Sequence, residues 1–176
     1  MKPLILTGWM LSDFVKQGLA DIALDLAFFR FIWGPQPSPD QVASYLGARN
    51  PERGSHWSDW GGYWEQSENR KHRDLSLAEF YQQYETVELW FDMRPEAQLK
   101  LVWLLDYLSS YPEAVARLKL RVIEHEMIGL HPNALAKWRP PLVSVIEKDR
   151  ATAGAAWQAY RSPTPEACLD LLRQDL

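Results

Sequence analysis

Cysteine is almost missing from this chain: Cys168 is the single one among 176 residues. No internal disulfide can form, and every cysteine-rich metal centre is excluded. No His stands near Cys168 in the sequence, so a core thiol is the expected role rather than a nucleophile. Long apolar runs are missing as well. Nothing approaches the roughly 20 residues of a membrane-spanning helix, and the opening Met1-Lys2-Pro3-Leu4-Ile5-Leu6-Thr7-Gly8 has too short an apolar run for a signal peptide. A soluble, cytoplasmic protein with no membrane partner is the expectation. Excess positive charge is also lacking: 19 Lys and Arg against 23 Asp and Glu leave a formal net charge of -4. That argues against a dedicated nucleic-acid binder, although a local basic patch stays open.

What the chain does have is apolar and aromatic content, 47% and 12% of residues, beside 24% charged. This composition at this length suits one globular domain over residues 1–176. Its centre is residues 84–110, where a strand run, Val87-Glu88-Leu89-Trp90-Phe91, passes directly into a long helix carrying Leu99, Leu101, Val102, Trp103, Leu104, Leu105 and Leu108. The bulky residues suit a pleated core strand, and the leucines cover more than one helix face. Pro95 fits the first helical turn, where a missing N–H costs nothing.

Leu4-Ile5-Leu6-Thr7-Gly8 reads as a short buried strand, followed by a short helix through Phe14 and Val15. Ile22 to Phe29 fits a second strand, with helix as the alternative. Ser38-Pro39-Asp40-Gln41 and Ser76-Leu77-Ala78-Glu79 have capping-box spacing, and Ser144-Val145-Ile146-Glu147 repeats it, which predicts a helix from there to about Tyr160. Residues 50–74 form an irregular, Trp-rich segment, an anchored loop or a lid. Arg117 to Ile123 alternates charged and apolar residues, as a strand near an edge with one solvated face would. Ser162-Pro163-Thr164-Pro165 opens a last helix, so 142–176 reads as a helical C-terminal part. The fold class expected is α/β: a small, mainly parallel sheet of about four strands with helices on both faces.

Several residues of this pattern, namely Trp33-Gly34-Pro35, Leu89-Trp90-Phe91 with Gln98-Leu99, Gly129-Leu130 and Ala156-Trp157-Gln158-Ala159-Tyr160-Arg161-Ser162-Pro163, resemble the bacterial domain-of-unknown-function family 1835. The resemblance implies an intact domain and no activity. Members of that family show Gly-Asp after the first strand and an acidic-His-Asp cluster after Leu-Trp-Phe. This chain has Gly8-Trp9 and Asp92-Met93-Arg94. If those polar residues serve chemistry in relatives, only Gly8 and Asp92 are kept.

In parallel sheets ligands sit outside the carboxyl ends of the strands. The candidate ligand-binding residues are therefore Gly8, Trp9, Trp33, Asp92 and Arg94, with Trp60, Trp64 and Arg70 overhanging from the Trp-rich segment. Asp92 is the candidate catalytic residue, as a general base or cation ligand. Its alternative is a turn or helix-start acceptor. Arg94, beside a helix start, suits a phosphate. Glu124, His125, Glu126 and His131 lie close in sequence, but Glu124 and Glu126 share a strand face that His125 does not, and the spacing is not that of a zincin. No metal site is expected from this pattern, and it leaves the cofactor unknown. Arg70-Lys71-His72-Arg73 beside Trp57, Trp60, Tyr63 and Trp64 combines cations with stacking rings, offset by Glu65, Glu68 and Asp74. Three functions follow: a domain that binds an anionic small molecule or nucleotide, a hydrolase- or transferase-type enzyme using Asp92, or an interaction module in which residues 57–64 meet a protein partner or form a homodimer.

Overall fold

The computed structural model describes residues 2–7, 11–20, 22–25, 77–124, 134 and 137–174. Strands β1 (Leu4–Thr7), β2 (Ile22–Asp25), β3 (Val87–Trp90), β4 (Leu118–Arg121) and β5 (Leu142–Ser144) form one sheet in the order β2-β1-β3-β4-β5. The first four run parallel, and β5 pairs antiparallel with β4. The described helices are α1 (Leu11–Lys16), α2 (Leu77–Tyr81), α3 (Pro95–Leu108), α4 (Pro112–Val115), α5 (Glu147–Tyr160) and α6 (Glu166–Arg173). The α/β class and the mainly parallel sheet are as the sequence predicts, and β3 is the middle strand.

Successive strand residues point to opposite faces, so each strand divides its side chains between two cores. Leu4, Leu6, Val87, Leu89 and Leu118 pack against α2 and α3, and against Ala153 and Trp157 of α5. On the other face Ile5 and Trp90 pack with Phe14 of α1, Ala20, Ile123 and Trp138. Helix α3 buries Ala97, Leu101, Leu104, Leu105 and Leu108 at the i, i+3/i+4 spacing of one face, together with Trp103. It lies along α5 closely enough that a Cβ on Gly154 would stand 3.3 Å from Asp106 Oδ1. After α1 the chain reverses through Gly18, whose φ of +67° only glycine adopts freely.

The helix predicted from Ser144 is displaced. Residues 142–144 are instead the fifth strand, and the Ser144 hydroxyl accepts a hydrogen bond from Lys119 Nζ at 2.7 Å rather than capping a helix. Helix α5 begins three residues later, where Asp149 Oδ2 accepts the Ile146 N–H at 2.8 Å. A cross-strand partner took the hydroxyl that the capping pattern needed. The Arg117–Ile123 run is a strand one place in from the edge, and Arg121 turns to a buried partner rather than to solvent.

Candidate functional site

Because β1 to β4 are parallel, Thr7, Asp25, Trp90 and Arg121 all leave the sheet on the same side. The chain steps from β1 outward to β2, then returns across β1 to β3. The strand order therefore reverses between β1 and β3, where Thr7 pairs with Trp90. In open α/β sheets such a reversal is where ligands bind.

On the β3 side, the described residues beyond the strand form the turn between β3 and α3. Phe91 continues into the core and is 2% exposed, and Asp92 is fully buried. The Asp92 carboxylate bends forward: Oδ1 accepts from the Arg94 main-chain N–H at 3.3 Å and from Arg94 Nε at 3.0 Å, while Oδ2 accepts from Nε at 2.9 Å. The Asp92 carbonyl accepts from Gln98 Nε2 at 2.7 Å, one turn into α3. Arg94 is the residue before the helix, with extended backbone, and Pro95 takes the first helical position. Three polar side chains thus fix the angle at which α3 leaves β3. In this geometry Asp92 is a buried turn acceptor that holds a guanidinium, and Met93 stands exposed at the tip.

The Arg94 side chain is only 10% exposed, and Asp92 balances its charge. The start of α3 adds the partial positive charge of N–H groups that have no partner within the helix, offset in part by Glu96 in the first turn. The site therefore offers oriented donors and little net charge.

A second polar cluster lies on the α1 face of the sheet, outside the residues predicted for the site. Arg121 reaches diagonally from β4 to Glu88 of β3, with Nε to Oε2 at 2.8 Å and Nη2 to Oε1 at 2.9 Å. The Trp90 indole N–H donates to Glu88 Oε2 at 2.9 Å. The Arg121 guanidinium lies 5.2 Å from the Trp90 ring centre and donates through Nη1 to the Pro140 carbonyl at 2.9 Å. Trp90 also meets Phe14 and Trp138 edge to face. One signal was available: a lone acid in an otherwise apolar central strand demands a buried cation.

Of the predicted site residues, the structure brings Asp92 and Arg94 together. Gly8, Trp9, Trp33, Trp60, Trp64 and Arg70 lie outside the described residues. So do the other Trp-rich positions and His125, Glu126 and His131; Glu124 is exposed just beyond β4. Among the described residues no group of three or more His, Cys, Asp or Glu side chains gathers to hold a metal ion, and no helix is long and apolar enough to cross a membrane. Comparison with protein-family models, with curated proteins and with solved structures finds no match. The resemblance to family 1835 rests on its short motifs alone.

Proposed function

We propose that this chain is a ligand-binding domain, and that it takes an anionic small molecule or nucleotide outside the carboxyl ends of β1 and β3. The observation that carries the reading is the strand order: four parallel strands whose sequence reverses between β1 and β3, the place where open α/β sheets bind ligands. Arg94 and the first turn of α3 border that place and supply donors for a phosphate or carboxylate. Asp92 serves by fixing the guanidinium, which lowers the entropy lost when a ligand engages it.

Amide chemical shifts followed during titration with inorganic phosphate, a nucleoside monophosphate and a dicarboxylate test this. The expected result is a saturable response centred on Thr7 and on residues 92–97 that Arg94→Gln abolishes while the fold persists. At a hundred times Kd such a ligand stabilises the native state by about 2.7 kcal/mol, a rise of roughly 5–10 °C in Tm for a chain of this size. No response to the panel, or a response mapped to another surface, refutes the reading.

A further inference from the structure

Helices α5 and α6 follow one another through a short turn, and an open groove of about 640 Å³ lies between them. Small-molecule sites span roughly 300–1,000 Å³. Ala155 and Ala159 line the groove from α5, Ala167 and Leu171 from α6, and Arg161 and Ser162 from the turn. None of these residues belongs to the strand ends around Arg94. Arg161 stands apart from the other cations of the chain. Every other described arginine donates a side-chain hydrogen bond to a carboxylate or to a main-chain carbonyl. The Arg161 guanidinium donates none among the described residues, and its Nε is buried without a partner. It lies 5.9 Å from the Trp157 ring centre and acts on Asp106 of α3 through its field, without an ion pair. A guanidinium in the wall of a groove, its fork of donors unused, is suited to an anion that accepts two hydrogen bonds.

We propose that the groove between α5 and α6 binds a free aliphatic monocarboxylic acid, with its carboxylate on Arg161 and its chain against the alanines and Leu171. The Ser162 Oγ accepts the Thr164 N–H at 3.5 Å, which leaves the hydroxyl hydrogen to donate at the same end of the groove. The charge of the ligand follows from the lining. Arg161 is the one lining cation among the described residues, and Asp170 lines the groove as well. A second negative charge on the ligand would meet that carboxylate. Asp170 is already matched by Arg173, with Nη1 to Oδ1 at 3.0 Å, so the ammonium of an amino acid finds no unpaired acid there. The four apolar lining residues suit methylenes rather than a sugar or a phosphate chain.

Titration of the isotope-labelled chain with hexanoate at constant ionic strength tests this, read from the amide shifts and from the Arg161 Nε–H, which burial shields from exchange with water. The expected result is a saturable response centred on residues 155–174, with a Kd in the millimolar range for so small and open a site. Arg161→Gln removes a charge-assisted pair and is expected to weaken binding by roughly tenfold or more. Hexanol, which lacks the charge, is expected to bind the wild type as weakly. Ala155→Leu keeps the charge and fills the groove; Ala155 is exposed, so the larger side chain is expected to reduce binding while far-ultraviolet circular dichroism stays unchanged. That variant keeps the test open if Arg161→Gln fails to fold. Norleucine, the matching amino acid, is expected to bind more weakly than hexanoate. A response that does not saturate, one centred on Arg94, or binding indifferent to both substitutions overturns the proposal, and norleucine binding as tightly as hexanoate overturns its assignment to a free acid.

Discussion

Replacing Arg121 by Met removes two of the hydrogen bonds to the Glu88 carboxylate and keeps that of the Trp90 indole, in a position where the carboxylate side chain is 9% exposed. Breaking a buried pair from one side costs about 3–5 kcal/mol, because the surviving charge is desolvated without compensation. Arg121 is itself 15% exposed, so some water reaches the pair and the lower end, about 3 kcal/mol, applies. Native domains hold only about 5–15 kcal/mol. The expected loss is therefore a large share of the total and lowers Tm by roughly 6–12 °C. Equilibrium urea unfolding followed by tryptophan fluorescence measures it directly, since Trp90 and Trp138 both pack at this site. The companion variant, Glu88→Met with Arg121→Met, removes both charges and fills the space with methylenes. It should recover most of the loss, because no unpaired charge remains. If Arg121→Met alone costs less than about 1 kcal/mol, or the double variant costs as much as the single, uncompensated burial is not what governs this site.

Two further variants probe the core around α3. Burial raises the Asp106 pKa above the usual carboxylate value, against a smaller lowering by Arg161. An acid whose pKa is raised on folding releases its proton less readily in the native state, so its contribution to stability falls as pH rises through that range and stays reduced at neutral pH. Asp106→Asn is thus expected to raise Tm at pH 7 and to lose that gain as the pH drops below the ordinary Asp value, which paired thermal melts at neutral and acid pH read out. The Tyr81 hydroxyl is fully buried and has no hydrogen-bond partner among the described residues, and burial holds its pKa well above the ordinary value. Tyr81→Phe removes only a desolvated donor, so chemical denaturation should find it neutral or up to about 1 kcal/mol more stable than wild type. A loss above that size means the hydroxyl has a bonding role.

The order of elements was legible wherever one physical signal dominated. Bulky residues at 87–91 and the following leucines have no competing pattern, and β1, β3 and α3 lie where the sequence puts them. Residues 142–144 were not legible, because Ser144 satisfies two patterns at once, a helix cap and a strand hydroxyl. The contact that decides between them is with Lys119, 25 positions away. The Glu88–Arg121 pair spans 33 positions, and nothing local marks Arg121 as different from the other cations of its alternating run. At the candidate site, Asp92 was legible as the residue ending the central strand. Its partner was not, because only the turn into α3 brings the Arg94 side chain back onto the carboxylate.

That distant pair also ties β4 to β3. Across the two strands the helix-facing positions pair Val87 with Leu118 and Leu89 with Leu120. A slip of one residue would turn the leucines of β4 away from that core and carry Arg121 to the wrong face, leaving the Glu88 carboxylate buried without its fork. A slip of two would pair aliphatics almost as well and set Arg121 or Arg117 directly across from Glu88, so the ion pair alone does not exclude it. What the observed register adds is the diagonal reach that puts Arg121 on both Glu88 oxygens, over the Trp90 ring and on the Pro140 carbonyl at once. The ion pair adds little net stability over an apolar replacement, but through these contacts it links β3, β4 and the residues that lead into β5.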